Sequence, residues 1–461
     1  MKQESGLTIE NPRYLAFLVL SENEKTRIPL DRTINKYEDR FNALSKRDRA
    51  LANAVIFGVL RYRGKLDWII SKFSKRKISG LDPEILFLIR IGLFQVVFLD
   101  KIPVSAAVNT TVEIAKKVSN RWAAGFVNAV LRKAGKGYLN LVLPDIKKDP
   151  AFFISVEKSM PLWLSRRWLK RFKLDKTLKL CDAINEIPSI TVRTNTVEIS
   201  REKLAEKLES QAEKVRFTKY AEDGISFSKP ACAVHEMDTF KKGYFQVQDE
   251  AAQIAGSILD PVPGEKILDA CAGLGGKTGH IAQLMKNKGS VTAVDIDKGK
   301  LFSLEKEMAR LGFSIVSTIQ MDILKFCPSV FFKSGFDRVL LDAPCTGLGV
   351  LRRNPDSKWA RSFQDVKRLA QKQKAMLIKA SDFVKPGGVL VYSVCSCEPE
   401  ENENVIDFFL EKKPDFTINS DNSVIYDKFN KTIISQRGFF RTYPENIEMD
   451  GFFAVSMKRK K

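Results

Sequence analysis

Apolar positions recur three or four residues apart through the first 140 residues, in Tyr14–Leu20, Leu51–Leu60, Ile85–Phe98, Val108–Val118 and Val127–Leu131. That period places apolar side chains on one face of a helix. Residues 1–140 are therefore predicted to form an all-α domain. Polar breaks at Ser74–Gly80 and Asp100–Pro103 separate the helices, and Ser105 is placed to cap the helix after the second break. Leu141–Pro150, with two prolines among charged residues, reads as a linker.

The period changes beyond the linker. Residues 141–240 mix a basic aromatic helix, Trp163–Lys173, with the β-branched run Ser189–Asn195 and an amphipathic helix at Glu202–Ser210, an α+β pattern. From Gly264 onward, strand–loop–helix units repeat, with strands expected at Lys266–Ala270, Ser290–Asp295, Ile315–Gln320, Arg338–Asp342 and Val389–Val394. Strands alternating with helices predict a largely parallel sheet covered on both faces, an α/β domain over 241–461.

Composition narrows the class. With 44% hydrophobic residues, 31 of them Phe, the 461-residue chain has ample core material and does not read as disordered. Seven cysteines without repeated spacing form no disulfide framework, which points to a reducing cytoplasm. Ile85–Leu99 is interrupted by Arg90 and Gln95, so it reads as a core helix rather than a membrane span. Tyr14–Leu20 follows Glu4, Glu10 and Pro12 and lacks a small-residue cleavage site, so no secretory signal is expected. The net charge is +21. Residues 1–140 hold 25 Lys/Arg against 13 Asp/Glu, the largest share, and such an excess suits a polyanion such as nucleic acid.

The clearest chemical signal is Ile267–Thr278, where an apolar strand enters a turn containing Gly273, Gly275 and Gly276 and then a helix. Glycines allow a tight turn and close backbone approach to a ligand, and Asp295, ending the next strand, is placed to accept from ribose hydroxyls. A nucleotide-binding Walker loop needs glycine where Cys271 stands, and the dinucleotide fingerprint needs a small residue where Thr278 stands. The glycines alone leave NAD and S-adenosylmethionine (SAM) open.

Two further strand ends carry cysteines: Leu341–Cys345 and Tyr392–Asn402, the latter containing Cys395 and Cys397. Ligands of open α/β sheets lie beyond the carboxyl ends of strands. No C-x-x-C pair exists, and His235 and His280 stand far from these segments, so no metal is expected. Paired thiols beside such a site suit methylation at carbon 5 of a pyrimidine, where a thiolate adding at carbon 6 makes carbon 5 nucleophilic. An acid such as Asp342 would then stabilise charge on the base.

These residues resemble the Nol/Nop/Sun family of RNA cytosine-5 methyltransferases. Cys271–Thr278 resembles its C-A-A-P-G-G-K-T loop, Asp342–Cys345 its D-A-P-C motif and Tyr392–Asn402 its T-C-S…P-E-E-N motif. Phe245–Ala252, Gly349–Trp359 and Asp450–Phe453 extend the match. The front resembles the NusB-like RNA-binding module through Leu44–Ala50, Phe57–Arg61, Ile102–Ala107 and Val127–Arg132. The pairing is similar to bacterial enzymes acting on small-subunit (16S) ribosomal RNA, with 141–240 as an RNA-contacting subdomain.

The resemblance implies that Cys395 is the nucleophile, that Cys345 assists release, and that Asp342 and Lys277 position the base. It implies that SAM is held by Cys271, Ala272, Gly273, Leu274, Gly275, Gly276, Lys277, Asp295, Asp322 and Asp342. Leu274 replaces the family's proline, Val394 its threonine, and Cys397 is an extra thiol two residues past Cys395. Residues two apart on a strand share a face, so Cys397 is either a competitor for the nucleophile role or ordinary packing.

Arg166, Arg167, Lys170 and Arg171, interleaved with Trp163, Trp168 and Phe172, form either an RNA-contacting face with stacking rings or a core-facing aromatic stripe backed by solvated cations. The expected protein is a monomer without a membrane partner that methylates carbon 5 of an unpaired or flipped cytosine in ribosomal RNA. The same chemistry on transfer RNA, a non-catalytic NusB-like RNA-binding factor and, more distantly, a NAD-dependent oxidoreductase are the alternatives.

Overall fold

A computed structural model describes residues 11–325, 335–419, 433–445 and 448–461. Glu4 and Glu10, used above against a secretory signal, lie outside the described residues. Packing divides the chain into two compact units, Met1–Glu186 with Leu351–Ala360, and Ile187–Val350 with Arg361–Lys461.

The first unit is helical: α1 (Pro12–Thr26), α2 (Leu30–Asn35), α3 (Glu38–Ala43), α4 (Lys46–Arg61), α5 (Arg63–Phe73), α6 (Pro83–Phe98), α7 (Val104–Val118), α8 (Arg121–Gly137), α9 (Pro150–Glu157) and α10 (Leu162–Asn185). Asn11, Asp82 and Asn120 cap α1, α6 and α8 through side-chain oxygens. The apolar run Ile85–Leu99 supplies the central helix, buried from Ile85 to Gln95. Its Arg90 survives burial because Asp67 accepts from it at 2.7 and 2.8 Å. Ser105 does not cap α7: the helix starts at Val104, and Pro103 makes no side-chain cap bond.

α9 packs on α5 and α10 on α9, and both belong to the helical unit. α10 runs past the predicted end at Lys173, where the backbone breaks from helical geometry at φ 64°, and continues to Asn185. Leu351–Ala360 belongs to the same unit. There Asp356 accepts from Leu30 N–H at 3.2 Å, Trp359 Nε1 donates to Leu60 C=O at 2.7 Å, and buried Lys358 donates to Asn185 Oδ1 at 2.7 Å and Arg61 C=O at 3.2 Å.

The second unit begins with a four-stranded antiparallel sheet ordered β2-β3-β1-β4, built from β1 (Ile190–Thr194), β2 (Glu213–Phe217), β3 (Gly224–Ser228) and β4 (Phe245–Val247), with α11 (Arg201–Glu209). Its main sheet is ordered β10-β12-β9-β8-β5-β6-β7, with β11 on β12. The strands are β5 (Lys266–Asp269), β6 (Ser290–Asp295), β7 (Val316–Gln320), β8 (Phe336–Asp342), β9 (Val384–Val394), β10 (Phe416–Ile418), β11 (Phe440–Thr442) and β12 (Phe452–Arg459). β5 to β9 pair in parallel, as the strand–helix alternation predicts, while β10, β11 and β12 pair antiparallel. The strand order reverses between β5 and β8, and this is where open sheets bind ligands. Among the described residues, no helix is long and apolar enough to cross a membrane.

Candidate active site

The glycine-rich turn leads from β5 into α12 (Gly276–Leu284). Gly275 precedes the helix at φ 86°, a left-handed conformation that glycine adopts without strain, and a Cβ there would meet Leu304 at 2.7 Å. Gly273 and Gly276 face open space: a Cβ on either would meet nothing within 4 Å. Asp295, closing β6, holds the turn by accepting from Gly273 N–H at 2.9 Å through one oxygen and from Asp297 N–H at 2.9 Å through the other. Beneath the turn, Thr278 donates to Asp269 at 2.7 Å, and burial pushes the Asp269 carboxyl up to about 7. Its Oδ1 is buried without a hydrogen-bond partner. Burial also pushes the Cys271 thiol up, with Asp269 adding to the effect.

Lys277, in the first turn of α12, pairs with Asp342 at the end of β8 at 2.6 Å. The other Asp342 oxygen accepts from Ser393 Oγ at 2.8 Å, on the adjacent parallel strand. Two residues after Ser393, Cys395 brings its sulfur within 2.9 Å of Cys345 Sγ. The bond to Cys395, followed by burial, raises the Cys345 thiol well above its usual range. The sequence-predicted site residues thus form two adjoining pairs.

Glu401 fastens the two cysteine-bearing turns together. It is buried and accepts from Thr346 N–H at 2.8 Å, Thr346 Oγ1 at 2.5 Å, Gln373 Nε2 at 3.1 Å and Ser396 Oγ. Thr346 follows Cys345, and Ser396 follows Cys395. Burial raises the Glu401 carboxyl, opposed by these donors. A second clasp runs through Gly349, whose N–H donates to Cys395 C=O at 3.1 Å and whose C=O accepts from Gly451 N–H at 2.8 Å. A Cβ on Gly349 would strike Gly451 C=O, so only glycine fits there. Sequence reasoning placed Glu401 in a motif without seeing what it ties together.

Cys397 does not share a face with Cys395. β9 ends at Val394, so the two-residue alternation stops before either cysteine, and Cys397 packs buried against Gly451. Asp322 follows β7 and accepts from Leu324 N–H at 3.1 Å, which stabilises a short turn. In the helical unit, Arg166 and Lys170 are exposed, but Trp168 is fully buried, so its ring is core rather than a stacking face. Arg171 lies 4.6 Å from the Phe172 ring centroid. Among the described residues, no cluster of His, Cys, Asp or Glu suits a metal ion.

Residues 256–458 match the model of the 16S rRNA methyltransferase RsmB/F family, residues 10–136 that of the NusB family, and residues 160–235 the ferredoxin-like domain of RsmF/B-like methyltransferases. The chain is 35% identical over 420 residues to the probable ribosomal RNA small subunit methyltransferase B of Bacillus subtilis, covering 91% of this chain and 92% of the relative. This chain belongs to the RsmB/F family. A Synechocystis relative of the same name is 32% identical over 459 residues, covering 97% and 99% of the two chains. A solved structure, that of a methyltransferase homolog protein from Pyrococcus horikoshii, superposes with a TM-score of 0.58 at 27% identity, covering 68% of this chain and 99% of its own. The RsmB/F assignment accounts for the helical front, the small antiparallel sheet and the mixed main sheet together.

Proposed function

We propose that this RsmB/F member transfers a methyl group from SAM to carbon 5 of a cytosine in small-subunit ribosomal RNA through a covalent bond to Cys395. The observation that carries this reading is the 2.9 Å approach of the Cys345 and Cys395 sulfurs beside the Lys277–Asp342 pair.

The turn after β5 suits SAM. Gly273 and Gly276 leave open space, Asp269 Oδ1 is an unused buried acceptor, and the apolar Leu274 and Ile296 are 59% and 64% exposed. Cys271, Ala272, Gly273, Leu274, Gly275, Gly276, Lys277, Asp295, Asp322 and Asp342 would hold it. When bound, SAM supplies an electrophilic methyl group on a sulfonium.

The protein's part is to make cytosine carbon 5 a nucleophile. The Cys395 thiolate adds to carbon 6, and the displaced double-bond electrons become available at carbon 5. Asp342, held by Lys277 and Ser393, shares a proton with ring nitrogen 3, and that proton offsets the negative charge that grows on the ring. After methylation, loss of the carbon-5 proton restores the double bond while the carbon 6–sulfur bond breaks. The Cys395 sulfur leaves with the electron pair of that bond; Cys345 gives its proton to the departing sulfur and takes the carbon-5 proton in exchange, so that both thiols end protonated. The cytosine must be unpaired or flipped to reach the thiols. Bisulfite mapping of ribosomal and transfer RNA from cells with and without the protein tests the reading. Loss of one 5-methylcytosine from small-subunit RNA is the expected result; an unchanged small-subunit map overturns it.

A further inference from the structure

The helical unit exposes an aromatic ring, Trp122, that neither its core nor the methyl-transfer site uses, next to Phe126, which packs partly buried against that core. Trp122, in the first turn of α8, is 52% exposed, whereas Trp168 in the same unit is fully buried. Its ring stacks on Phe126, one helical turn later, with centroids 5.5 Å apart and planes within 6°. The Arg76 guanidinium, from the segment after α5, lies 4.5 Å from the Trp122 centroid. Lys75, Arg76, Lys77 and Arg121 are all exposed.

Gly125 stands between the two rings in sequence, inside a helix and exposed. A Cβ there would meet nothing within 4 Å. No neighbour in this unit requires glycine, although alanine would favour the helix. Glycine at this position leaves the backbone open to close approach from outside.

We propose that this face of α8 is a stacking platform for unpaired nucleotides of an RNA, with Trp122 as the ring a base lies on and Arg76 as the guanidinium beside it. The inference rests on the RNA-substrate reading above and names where that RNA is gripped. Charge complementarity selects the occupant, because four exposed cations match phosphates, whereas a protein covering Trp122 would have to desolvate them. Duplex RNA offers no base faces to a ring, so the platform is specific for single strands.

The test uses the full-length protein with a short mixed-sequence RNA, single-stranded or as a duplex. Trp122→Ala is expected to weaken single-strand binding about tenfold, Trp122→Phe about twofold, and duplex binding by either less than about twofold. Arg76→Gln is expected to lower the slope of log affinity against log salt by up to about 0.7. Single-stranded RNA should quench tryptophan fluorescence in the wild type and less so in Trp122→Phe, which keeps the test alive if Trp122→Ala does not fold. In methylation assays the loss should fall on KM for RNA, with kcat and SAM affinity unchanged. Equal losses on single strands and duplex, or wild-type single-strand binding by both Trp122 variants, would overturn the platform. A wild type that methylates no ribosomal RNA while Trp122→Ala still loses single-strand binding would overturn the reaction and leave the platform standing.

Discussion

Cys345 and Cys395 meet sulfur to sulfur at 2.9 Å across a gap of 50 residues in the chain. In the proposed reaction their roles differ, because only one of them has to leave the ring. Cys395→Ala is expected to abolish methyl transfer, whereas Cys345→Ala should slow release and accumulate a protein–RNA adduct stable to denaturing electrophoresis. Cys397→Ala should retain most activity, since Cys397 is packed against Gly451. Methylation by a Cys395→Ala protein that fails in Cys397→Ala would reverse the assignment.

Glu401 is expected to matter through the turns it joins. Glu401→Ala strands the Thr346 N–H, both hydroxyls and Gln373, and one buried donor left unpaired costs about 1–3 kcal/mol. Thermal unfolding should show that loss, and kcat should fall while SAM affinity holds. Glu401→Gln retains one acceptor oxygen and should recover part of both. Unchanged kcat in a destabilised Glu401→Ala protein would confine the residue to stability.

Asp295 spends one carboxylate oxygen on the glycine-rich turn, at Gly273 N–H, and the other on its own loop after β6, at Asp297 N–H. Asp295→Ala should therefore weaken SAM binding about tenfold or more, through a loosened turn as well as a lost acceptor, charged hydrogen bonds being about 1.5–3 kcal/mol each. Calorimetric titration with SAM measures it. RNA affinity should be unaffected.

Lys358 makes stability depend on pH. Burial lowers its ammonium from 10.5 to about 7, with nearby Arg61 adding to the effect. Between about pH 7 and 10.5 the unfolded chain holds a proton at this site that the folded one lacks, so stability rises with pH there, by at most about 1.4 kcal/mol per unit. Below pH 7 the lysine is charged in both states and its contribution is flat. Lys358→Met should remove this rise. Denaturant titrations of both proteins from pH 7 to 10 compare the slopes, and parallel curves would sink the idea.

Much of the catalytic half was legible because its chemistry sits at strand ends. Asp269, Asp295 and Asp342 each close a run of apolar residues, and the parallel order brings those ends together. Cys397 misled because alternation holds only inside a strand, and β9 stops at Val394. The aromatic spacing of Trp163–Lys173 could not separate a core stripe from a binding face, since both have helical period; burial of Trp168 assigns that ring alone to the core. Glu401 and the departure of Leu351–Ala360 to the helical unit are products of tertiary closure, with no local signal in composition or period.

That departure sets an order for synthesis. Lys358 and Trp359 complete packing against Arg61, Asn185 and Leu60, yet they emerge from the ribosome about 300 residues after Leu60. At roughly 5–20 residues per second the first unit waits some tens of seconds for its last piece. Its earliest helices must therefore persist as an unfinished body while most of the second unit is being made, and a nascent chain released before residue 360 would lack that closing piece.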